Sequence, residues 1–332
     1  MRKITMRLIL TLSLLGLCAP MTEAAAPPNR VVLTYASFNE RGAGAILVAE
    51  DQGFFRKYNL DAHLVYVRSG AVALSALASG DTQFYLGSGT GSTLGAIAGG
   101  LDAVFVGGLV NRLTGTFLVN RDIKTPSDLK GKNVGIQSVG GGIWMITMLV
   151  LDHWGLEPKR DGLSLKIIGD EAVLAQALMA GVIDASYFGY TFGSILKHQG
   201  FTMLADVATL GVPYQSTGVL VRRSFLNSSP DIVERVLKAL VEAIGFLEKP
   251  ENKGAVMKSL AKGLRLPKIE DAADGYEVVK TLYDRRIYPN TQGIQNALRM
   301  LGASNEKIRR LKLEDIVDER VAKKLDREGF LK

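Results

Sequence analysis

The chain has 332 residues, of which 47% are hydrophobic and 22% are charged, and its formal net charge is +7. A chain of this length and composition can bury a large core, and its length favours two domains over one. Because the basic residues are scattered and do not cluster with aromatic ones, the charge suits solubility and no nucleic-acid partner is expected.

The N-terminus has the three parts of an export signal. Arg2, Lys3 and Arg7 precede an apolar run over residues 8–17, and small and polar residues follow. The apolar run is too short to span a bilayer. We therefore expect residues 1–26 to be a signal peptide and the mature protein, with its formal charge reduced to +5, to be periplasmic.

Cys18 is the only cysteine in the chain and lies inside this predicted signal. The mature protein would then have no disulfide, no thiolate nucleophile and no cysteine metal ligand. The residues around Cys18 are similar to a bacterial lipoprotein acylation box, but Leu17 stands where that box needs a small residue. A lipid anchor at Cys18 is therefore the lesser alternative to a soluble exported protein.

Strands and helices are predicted to alternate from residue 31 onwards, which favours a parallel sheet covered by helices. In the first half, strands are predicted at 31–37, 61–67, 82–87 and 102–110. They alternate with a helix that starts at residue 45 and ends near Gly53 and with helices at 70–79 and 91–100. In the second half, strands at 134–137, 163–169 and 183–189 alternate with helices at 143–155 and 171–181, and strands at 201–207 and 217–223 follow. From Ser229 onwards the pattern is entirely helical.

One phrase occurs twice in this pattern. The sequence ALASGDTQFYLGSGT (Ala76–Thr90) is answered 101 residues later by ALMAGVIDASYFGYT (Ala177–Thr191). Each copy predicts a helix end, a glycine that terminates the helix (Gly80 or Gly181), a short strand and a loop, because glycine adopts the left-handed conformation of a helix end without a Cβ clash. The repeat predicts two similar α/β lobes.

Patterns typical of catalysis are weak. His63, His153 and His198 share no metal-ligand spacing, and no nucleophile elbow of the G-x-S-x-G type occurs. The run GSGTGS at 87–92 lacks the Lys-Ser/Thr ending of a P-loop and a convincing third glycine of a dinucleotide site. We therefore expect no catalytic residue, no metal and no cofactor.

Four loops follow predicted strand ends, where open α/β sheets bind ligands. They cover residues 37–44, 87–92, 137–142 and 187–193, and they are rich in glycine and hydroxyl residues. Small residues at a helix start leave backbone N–H groups exposed, and the helix dipole favours an anionic group there. Arg41, after the first strand, is a candidate to neutralise an anion, and the alternative that it is an ordinary surface residue stays equally open. For any one loop, the alternative that its glycines only permit tight turns stays open.

Several segments closely resemble periplasmic substrate-binding proteins of ABC importers, of the nitrate, sulfonate, taurine and pyrimidine-precursor type. The segments that carry the resemblance are AILVAEDQGFFRKYNLDAHLVYV (45–67), ALASGDTQFYLGSG (76–89), IKTPSDLKGKNVGIQSVGGG (123–142), ALMAGVIDAS (177–186) and GVPYQSTGVLVRRSFL (211–226). They occur in the order of that family and cover essentially the whole mature chain.

The resemblance implies a two-lobed α/β fold of the periplasmic-binding-protein type II. Each lobe would be a mainly parallel sheet flanked by helices, with two crossing hinge strands and a helical C-terminal region. Residues 27–117 with 217–332 would form the first lobe, and residues 118–216 the second. The ligand would bind in the cleft, and the lobes would close over it.

The resemblance also implies which residues bind the ligand. By position in the family's segments these are Ser37, Phe38, Asn39, Ser88, Gly89, Thr90, Ser138, Gly140, Gly141, Gly142, Tyr190 and Gln215, with Arg41 added from its place after the first strand. The run QSVGGGIW is richer in glycine and less polar than the family's usual version, so the second wall of the cleft would use backbone N–H groups.

The implied function is solute capture for transport. We expect a monomeric binding protein that takes up a small organic, anionic ligand and delivers it to the transmembrane subunits of a permease. One alternative is a lyase-type or pyrimidine-related enzyme on the same scaffold, for which Glu40, Asp170 and Glu171 lie near loop starts. The cysteine cluster of the eukaryotic pyrimidine-synthesising relatives is absent, which argues against that activity. A ligand sensor for a signalling partner is a further alternative.

Overall fold

The structure is a computed structural model that describes residues 27–36, 39–67, 69–169 and 171–331. The predicted signal peptide with Cys18, the predicted ligand residues Ser37 and Phe38, and Asp170 lie outside the described residues.

The strands in this part of the chain form two five-stranded sheets. They are β1 (Asn29–Tyr35), β2 (Leu60–Tyr66), β3 (Phe84–Gly89), β4 (Ala103–Arg112), β5 (Thr116–Val119), β6 (Asn133–Ile136), β7 (Ser164–Ile167), β8 (Ala185–Phe188), β9 (Thr202–Asp206) and β10 (Pro213–Arg222). The strand order is β2-β1-β3-β10-β4 in the first sheet and β7-β6-β8-β5-β9 in the second. One strand in each sheet, β10 or β5, runs antiparallel to both of its neighbours. The two sheets therefore share one topology.

Helices cover the sheets and make up the C-terminal region. They are α1 (Glu40–Asp51), α2 (Phe54–Lys57), α3 (Gly70–Ser79), α4 (Thr90–Ala98), α5 (Gly142–His153), α6 (Glu171–Met179), α7 (Tyr190–His198), α8 (Arg223–Ser228), α9 (Pro230–Leu247), α10 (Lys253–Gly263), α11 (Ala273–Leu282), α12 (Thr291–Gly302), α13 (Glu306–Arg309), α14 (Leu313–Ile316) and α15 (Arg320–Arg327). The helical C-terminal region expected from the sequence is confirmed. Within the described ranges, no helix is both long enough and apolar enough to cross a lipid bilayer.

The chain passes between the sheets twice. It leaves the first sheet at the end of β4 and enters the second as β5, which the sequence analysis did not predict as a strand, and it returns from β9 to β10. The connections are residues 113–115 and 207–212. The predicted domain boundaries, after residues 117 and 216, fall a few residues inside β5 and β10, and the division into domains stays a prediction.

The repeated phrase corresponds to equivalent parts of the two sheets. Its first copy contains the end of α3, then β3, and its second contains the end of α6, then β8, and β3 and β8 hold the same central position in their sheets. Gly80 and Gly181 follow these helices with positive φ values of 90° and 70°. The helix-terminating role predicted for both glycines is thus confirmed.

The buried core extends across both sheets. One apolar cluster packs β1 and neighbouring strands against α1, α9, α10 and α11. A second cluster joins residues of α4 and β4 to residues of β5, β6 and α5, and it includes Ile294 of α12. Helix α12 contacts β10, α4 and α5, and Arg299 on it forms an ion pair of 2.6 Å with Asp152 of α5. The C-terminal region therefore packs on elements of both sheets.

Candidate ligand-binding site

A cavity of about 570 Å³ opens between the two sheets, at the ends of their strands. The residues that line it are Ala36, Arg41, Gly70, Tyr85, Gly87, Gly89, Gly91, Ser92, Tyr214, Ser216 and Thr217 from elements of the first sheet, and Gln137, Gly140, Gly141, Gly142, Ile143, Glu171, Ala172 and Phe192 from those of the second. A site of this size suits a small organic molecule. We call this cavity the cleft.

Two helices begin at the cleft without a side-chain cap. Gly89 precedes α4 and Gly141 precedes α5, both with extended backbone and neither with a capping side chain. By contrast, Asn39 caps α1 through the N–H of Gly42, and Ser69 caps α3. The first-turn N–H groups of α4 and α5 are therefore suited to hydrogen bond with an anionic group in the cleft.

Arg41 and the hydroxyls of β10 lie on the first-sheet wall. Nη1 of Arg41 donates a hydrogen bond of 2.8 Å to Oγ of Ser216. Thr217, the next residue, is 4% exposed, and its Oγ1 has no hydrogen-bond partner among the described residues. The pairing of β10 with β4 shifts register on both sides of Thr217, so β10 is irregular where these hydroxyls line the cleft. A buried hydroxyl without a partner is costly, and a bound ligand would supply one.

A carboxylate occupies the start of a third helix. Gly189 precedes α7 and has no side-chain cap of its own, but its N–H donates a hydrogen bond of 2.9 Å to Oε2 of Glu171. Glu171 begins α6 and lines the cleft. A carboxylate at a helix N-terminus stabilises the helix and repels a second anion. The start of α7 therefore differs in charge from the starts of α4 and α5.

Three buried tyrosines lie in or beside the cleft, and all stay neutral. Burial raises the pKa of Tyr85, Tyr187 and Tyr214 to about 12 in each case. The hydroxyl of Tyr187 donates to the carbonyl oxygen of Thr114 at 2.8 Å. Tyr85 and Tyr214 line the cleft directly. The rings of Tyr85 and Tyr214 therefore offer apolar faces and uncharged hydroxyls to a ligand over the physiological pH range.

Five of the residues predicted to bind ligand line the cleft together. They are Arg41, Gly89, Gly140, Gly141 and Gly142. Three of these glycines are in the run noted for its lack of side chains, so this wall of the cleft is largely backbone there.

Six other predicted residues that the structure describes are not among those that line the cleft. Three of them, Ser88, Thr90 and Gln215, are neighbours in sequence of residues that do. Ser88 shares a hydrogen bond of 2.6 Å with Thr93, and Thr90 donates one of 2.5 Å to the carbonyl oxygen of Gln215. The Gln215 side chain accepts from the N–H of Asn290 at 3.0 Å. These three side chains are buried and bond within the protein, and Nε2 of Gln215 has no hydrogen-bond partner among the described residues.

Three further predicted residues have structural contacts or face solvent. Asn39 caps α1, and Tyr190 donates a hydrogen bond of 3.0 Å to Oδ1 of Asp206. Ser138 is exposed and is not among the residues that line the cleft. The ligand-binding roles of these residues stay predictions.

Sequence reasoning missed several residues that line the cleft. Tyr85, Tyr214, Ser216 and Thr217 were not proposed to bind ligand, and Glu171 was considered only for the enzyme alternative. Ser216 and Thr217 directly follow Gln215 in a segment already noted, so two adjacent hydroxyls at the start of an apolar strand were the available signal. Within the described ranges, no group of three or more His, Cys, Asp or Glu side chains is placed to hold a metal ion.

The two lobes of shared topology, their two crossings and the cleft between them define the fold of periplasmic binding proteins. The family model described as NMT1/THI5 like matches residues 42–253, and the chain belongs to this family.

The curated relatives found by sequence share about a quarter of their residues with this chain over the matched segments. A provisionally named binding protein of Brucella abortus (strain 2308) is 25% identical over 210 residues, which are 62% of this chain and 63% of the relative. The chain thus matches less than two thirds of the length of that relative. A provisionally named thiamine biosynthesis protein of Haemophilus influenzae is 27% identical over 216 residues, or 63% of this chain and 66% of the relative.

The fold of this chain is similar to that of a solved binding protein. The periplasmic aliphatic sulphonate binding protein SsuA from Escherichia coli superposes with a TM-score of 0.68 and 20% sequence identity, over 89% of this chain and 93% of that one. At this identity the likeness establishes the fold alone.

Proposed function

We propose that this protein is the periplasmic solute-binding component of an ABC importer and that it captures a small organic anion in the cleft. The observation that carries the proposal is the set of hydrogen-bond donors that face the cleft from both walls. On the first-sheet wall, Arg41 donates to the Ser216 hydroxyl, Oγ1 of the buried Thr217 has no partner among the described residues, and α4 begins uncapped. On the second-sheet wall, α5 begins uncapped. A carboxylate or sulfonate would satisfy these donors together.

The connections between the sheets support a binding cycle. Among the described residues, two short segments of chain, 113–115 and 207–212, connect the sheets, and α12 packs on elements of both. Opening or closing the cleft would therefore combine a change in a few backbone angles with a movement at the contact between α12 and α5. Binding would favour the closed arrangement because the ligand then contacts both walls. The transmembrane subunits of the permease would distinguish the closed from the open surface, and the binding protein would act as a monomer.

Export to the periplasm is part of the proposal. It is supported by the three-part N-terminal sequence and by the family to which the chain belongs. Mass spectrometry of the protein recovered from the periplasmic fraction would test it, with cleavage expected near Ala24–Ala26. A mature N-terminus at a lipid-modified Cys18 would instead assign the protein to a membrane surface.

The central experiment is a thermal-shift screen of the purified mature protein against small acids and heterocycles, followed by isothermal titration calorimetry. A ligand present at 100 times its Kd stabilises the native state by about 2.7 kcal/mol, which raises the Tm measurably. We expect hits among organic anions, and we expect Arg41→Met to weaken their binding at least tenfold. A screen in which no small solute of any charge binds would overturn the proposal.

A second candidate function is an enzyme of pyrimidine metabolism, because one relative carries a thiamine biosynthesis name. Glu171 would be its acid or base, as the carboxylate that lines the cleft. Incubating each hit with the protein and following it by mass spectrometry separates the two functions. An unchanged ligand supports transport, and a new mass that depends on Glu171 supports the enzyme.

A further inference from the structure

A second cavity, of about 720 Å³, lies between α3 and α4 of the first sheet. We call it the α3–α4 groove. It is larger than the cleft, and Ser92 is the one lining residue that the two cavities share among the described residues. The groove is therefore a separate cavity that the proposed function does not use.

Small side chains on two neighbouring helices leave the space for this groove. The lining residues recur at intervals of three or four along each helix, so they lie on one face of each. They include Ala71, Ser75 and Ala78 of α3, and Ser92, Ala96 and Gly99 in or directly after α4. Each set spans seven residues, so the groove is about 10 Å long.

Arg222 lies where α3 ends. It is the last residue of β10 and lines the groove. A Cβ on Gly80, the glycine that terminates α3, would lie 3.0 Å from Nη2 of Arg222. The missing side chain at Gly80 thus makes room for the guanidinium, and Leu74, Ala78 and other small or apolar residues extend along the groove from there.

Two adjacent arginines differ in their partners. Arg223 donates from Nη2 to the carbonyl oxygens of Glu314 and Asp315 at 3.1 and 3.2 Å, and its Nε lies 3.4 Å from Oδ1 of Asp102. Arg222 is partly buried, and its Nε is buried without a hydrogen-bond partner in the described part of the chain. An N–H that is buried without an acceptor costs free energy, and a ligand oxygen would supply the acceptor.

The uncompensated charge in the groove is positive. Arg222 and Asp102 are the charged residues among the lining residues that the structure describes. The Asp102 side chain is 67% exposed and is paired with Arg223, whereas Arg222 forms no ion pair within the described ranges. A guanidinium stays charged at every physiological pH. The groove therefore favours an anionic group at Arg222.

We propose that the α3–α4 groove is a second ligand site and that it binds a small amphipathic carboxylate. The carboxylate accepts from the guanidinium of Arg222, whose planar arrangement of N–H groups matches two carboxylate oxygens. The apolar part of the ligand lies along the groove on Leu74, Ala78 and Ala96. This inference goes beyond the proposed function, because the site is outside the cleft and does not involve Arg41.

The experiment is isothermal titration calorimetry with butanoate, hexanoate, octanoate and the neutral hexanamide. The purified mature protein carries Arg41→Met, which weakens anion binding in the cleft, so that the groove is measured alone. We expect affinity to rise by about threefold for each added methylene group of the acids. We also expect hexanoate to bind at least about tenfold more tightly than hexanamide, since the amide lacks the charge that Arg222 recognises.

Substitutions of arginine assign the site. Arg222→Met, added to the Arg41→Met protein, should weaken hexanoate at least about tenfold. Arg222→Lys keeps the charge but not the paired N–H groups, so its loss should be smaller. Arg30→Met, which removes an exposed arginine of β1, is the matched control and should change the affinity by less than about twofold.

A further variant tests the groove with Arg222 intact. Ala78 is exposed on α3, so Ala78→Trp should fill the groove without disturbing the core, and it should abolish hexanoate binding. Val72→Trp, on the same helix but outside the lining of the groove, is its control and should bind as before. Thermal unfolding without ligand shows whether each variant is folded. If Arg222→Met is unstable, the two tryptophan variants decide the question.

The outcomes separate the second site from the cleft. Equal affinities for hexanoate and hexanamide, or hexanoate binding that persists in Ala78→Trp, would overturn the proposal. So would the absence of binding by every acid up to about 10 mM in the Arg41→Met protein when the wild-type protein does bind them, because the acids would then occupy the cleft. None of these results alters the proposed function, which depends on the ligands that Arg41→Met weakens.

Discussion

The two copies of the repeated phrase form equivalent elements but end in different chemistry. In the first copy, β3 leads through Gly89 into α4, whose start has no side-chain cap. In the second, β8 leads through Gly189 into α7, whose start is occupied by Glu171. The same turn therefore leads to an uncapped helix start on one wall and to a helix start capped by a carboxylate on the other. What distinguishes the copies is a residue outside both, contributed by α6.

The copies also differ in how the first helical residue is anchored. Thr90 is fully buried and donates to the carbonyl oxygen of Gln215 in β10, whereas Tyr190 is partly buried and donates to the carboxylate of Asp206 at the end of β9. One anchor is tied to the strand that returns from the second sheet, and the other to the end of an edge strand. The topology is repeated, and the side-chain contacts are specific to each copy.

The largest effect on ligand affinity is expected from placing a carboxylate at the uncapped start of α5, as Glu171 already places one at the start of α7. Gly142 begins α5 and lines the cleft. Among the described residues, and outside the backbone of its own helix, no atom lies within 4 Å of the position that a Cβ would take at Gly142. A Cβ at Gly141 would instead lie 2.6 Å from Oγ of Ser138. Gly142→Asp should weaken an anionic ligand by at least about 100-fold, because like charges about 4 Å apart repel by about 4 kcal/mol at an effective dielectric of 20. Calorimetry measures the loss.

The control for this change is Gly142→Asn, which has the same size without the charge. It should bind the ligand far better than the Asp variant does. The Tm of the ligand-free Asp variant should be unchanged or slightly raised, because a carboxylate favours a helix N-terminus by about 0.3 to 1 kcal/mol. Equal weakening by Asn and Asp would contradict an electrostatic cause.

The next largest effect is a loss of free energy of unfolding, and it is expected when either helix-terminating glycine, Gly80 or Gly181, is replaced by alanine. Placing alanine in the left-handed conformation costs about 1 to 2 kcal/mol of the free energy of unfolding, which is the loss expected for Gly181→Ala. Gly80→Ala should cost more, because its Cβ would lie 3.0 Å from Nη2 of Arg222, whereas Gly181 has open space around it. Urea unfolding of both variants measures the difference. An equal or smaller loss at Gly80 would mean that Arg222 moves aside freely.

A smaller effect is expected where the two walls meet. A Cβ on Gly91 of α4 would lie 2.9 Å from the carbonyl oxygen of Gly140 on the opposite wall, and a backbone oxygen cannot rotate away. Gly91→Ala should therefore hinder closure and weaken the ligand about tenfold, or about 1.4 kcal/mol. Its stability should stay equal or rise by about 0.5 to 1 kcal/mol, since alanine favours a helix over glycine.

Gly95→Ala, in the same helix, is the matched control for this prediction. Outside its own helix backbone, none of the residues that the structure describes has an atom within 4 Å of the Cβ position at Gly95, so this variant should show the gain in stability without the loss of affinity. Calorimetry and thermal unfolding of both variants separate the two quantities. Wild-type affinity in Gly91→Ala would show that binding does not require this close approach.

The smallest effect on the free energy of unfolding is expected from removing the hydrogen bonds that Thr90 and Tyr190, the first residues of α4 and α7, make to other elements. Thr90→Val removes a fully buried hydrogen bond with little change of shape and should reduce the free energy of unfolding by about 1 kcal/mol. Tyr190→Phe removes one that is partly exposed and should cost about 0.5 kcal/mol. Chemical denaturation without ligand measures both. The opposite ranking would show that the second copy depends more on its anchor than the first.

Local sequence patterns were sufficient for much of this fold. The alternation of apolar runs with helical spacing located most strands and helices, because burial and backbone preference act within a few residues. Gly80 and Gly181 were identified as helix ends because only glycine adopts that conformation without strain. Strand β5 was missed, since four residues between glycine and polar neighbours have too short a pattern to distinguish from a loop.

The cleft could be predicted only in part. Glycines at helix starts carry a local signal, and so Gly89 and Gly140–Gly142 were found. Thr90 and Gln215 have the same polar character, but both are buried: Thr90 donates to the carbonyl oxygen of Gln215, and the Gln215 side chain accepts from the N–H of Asn290. Which way such a side chain points depends on packing against residues more than a hundred positions away.

The sequence by itself determined the α/β alternation and the repeated unit, because these follow from local periodicity, and five of its segments resemble a binding-protein family. Only the tertiary structure decided which residues share the cleft and which charges oppose each other there. Arg41 and Glu171 are 130 positions apart in the chain, and it is the two crossings between the sheets that bring them to one cavity. Electrostatic interaction depends on distance in space, and sequence separation does not report it.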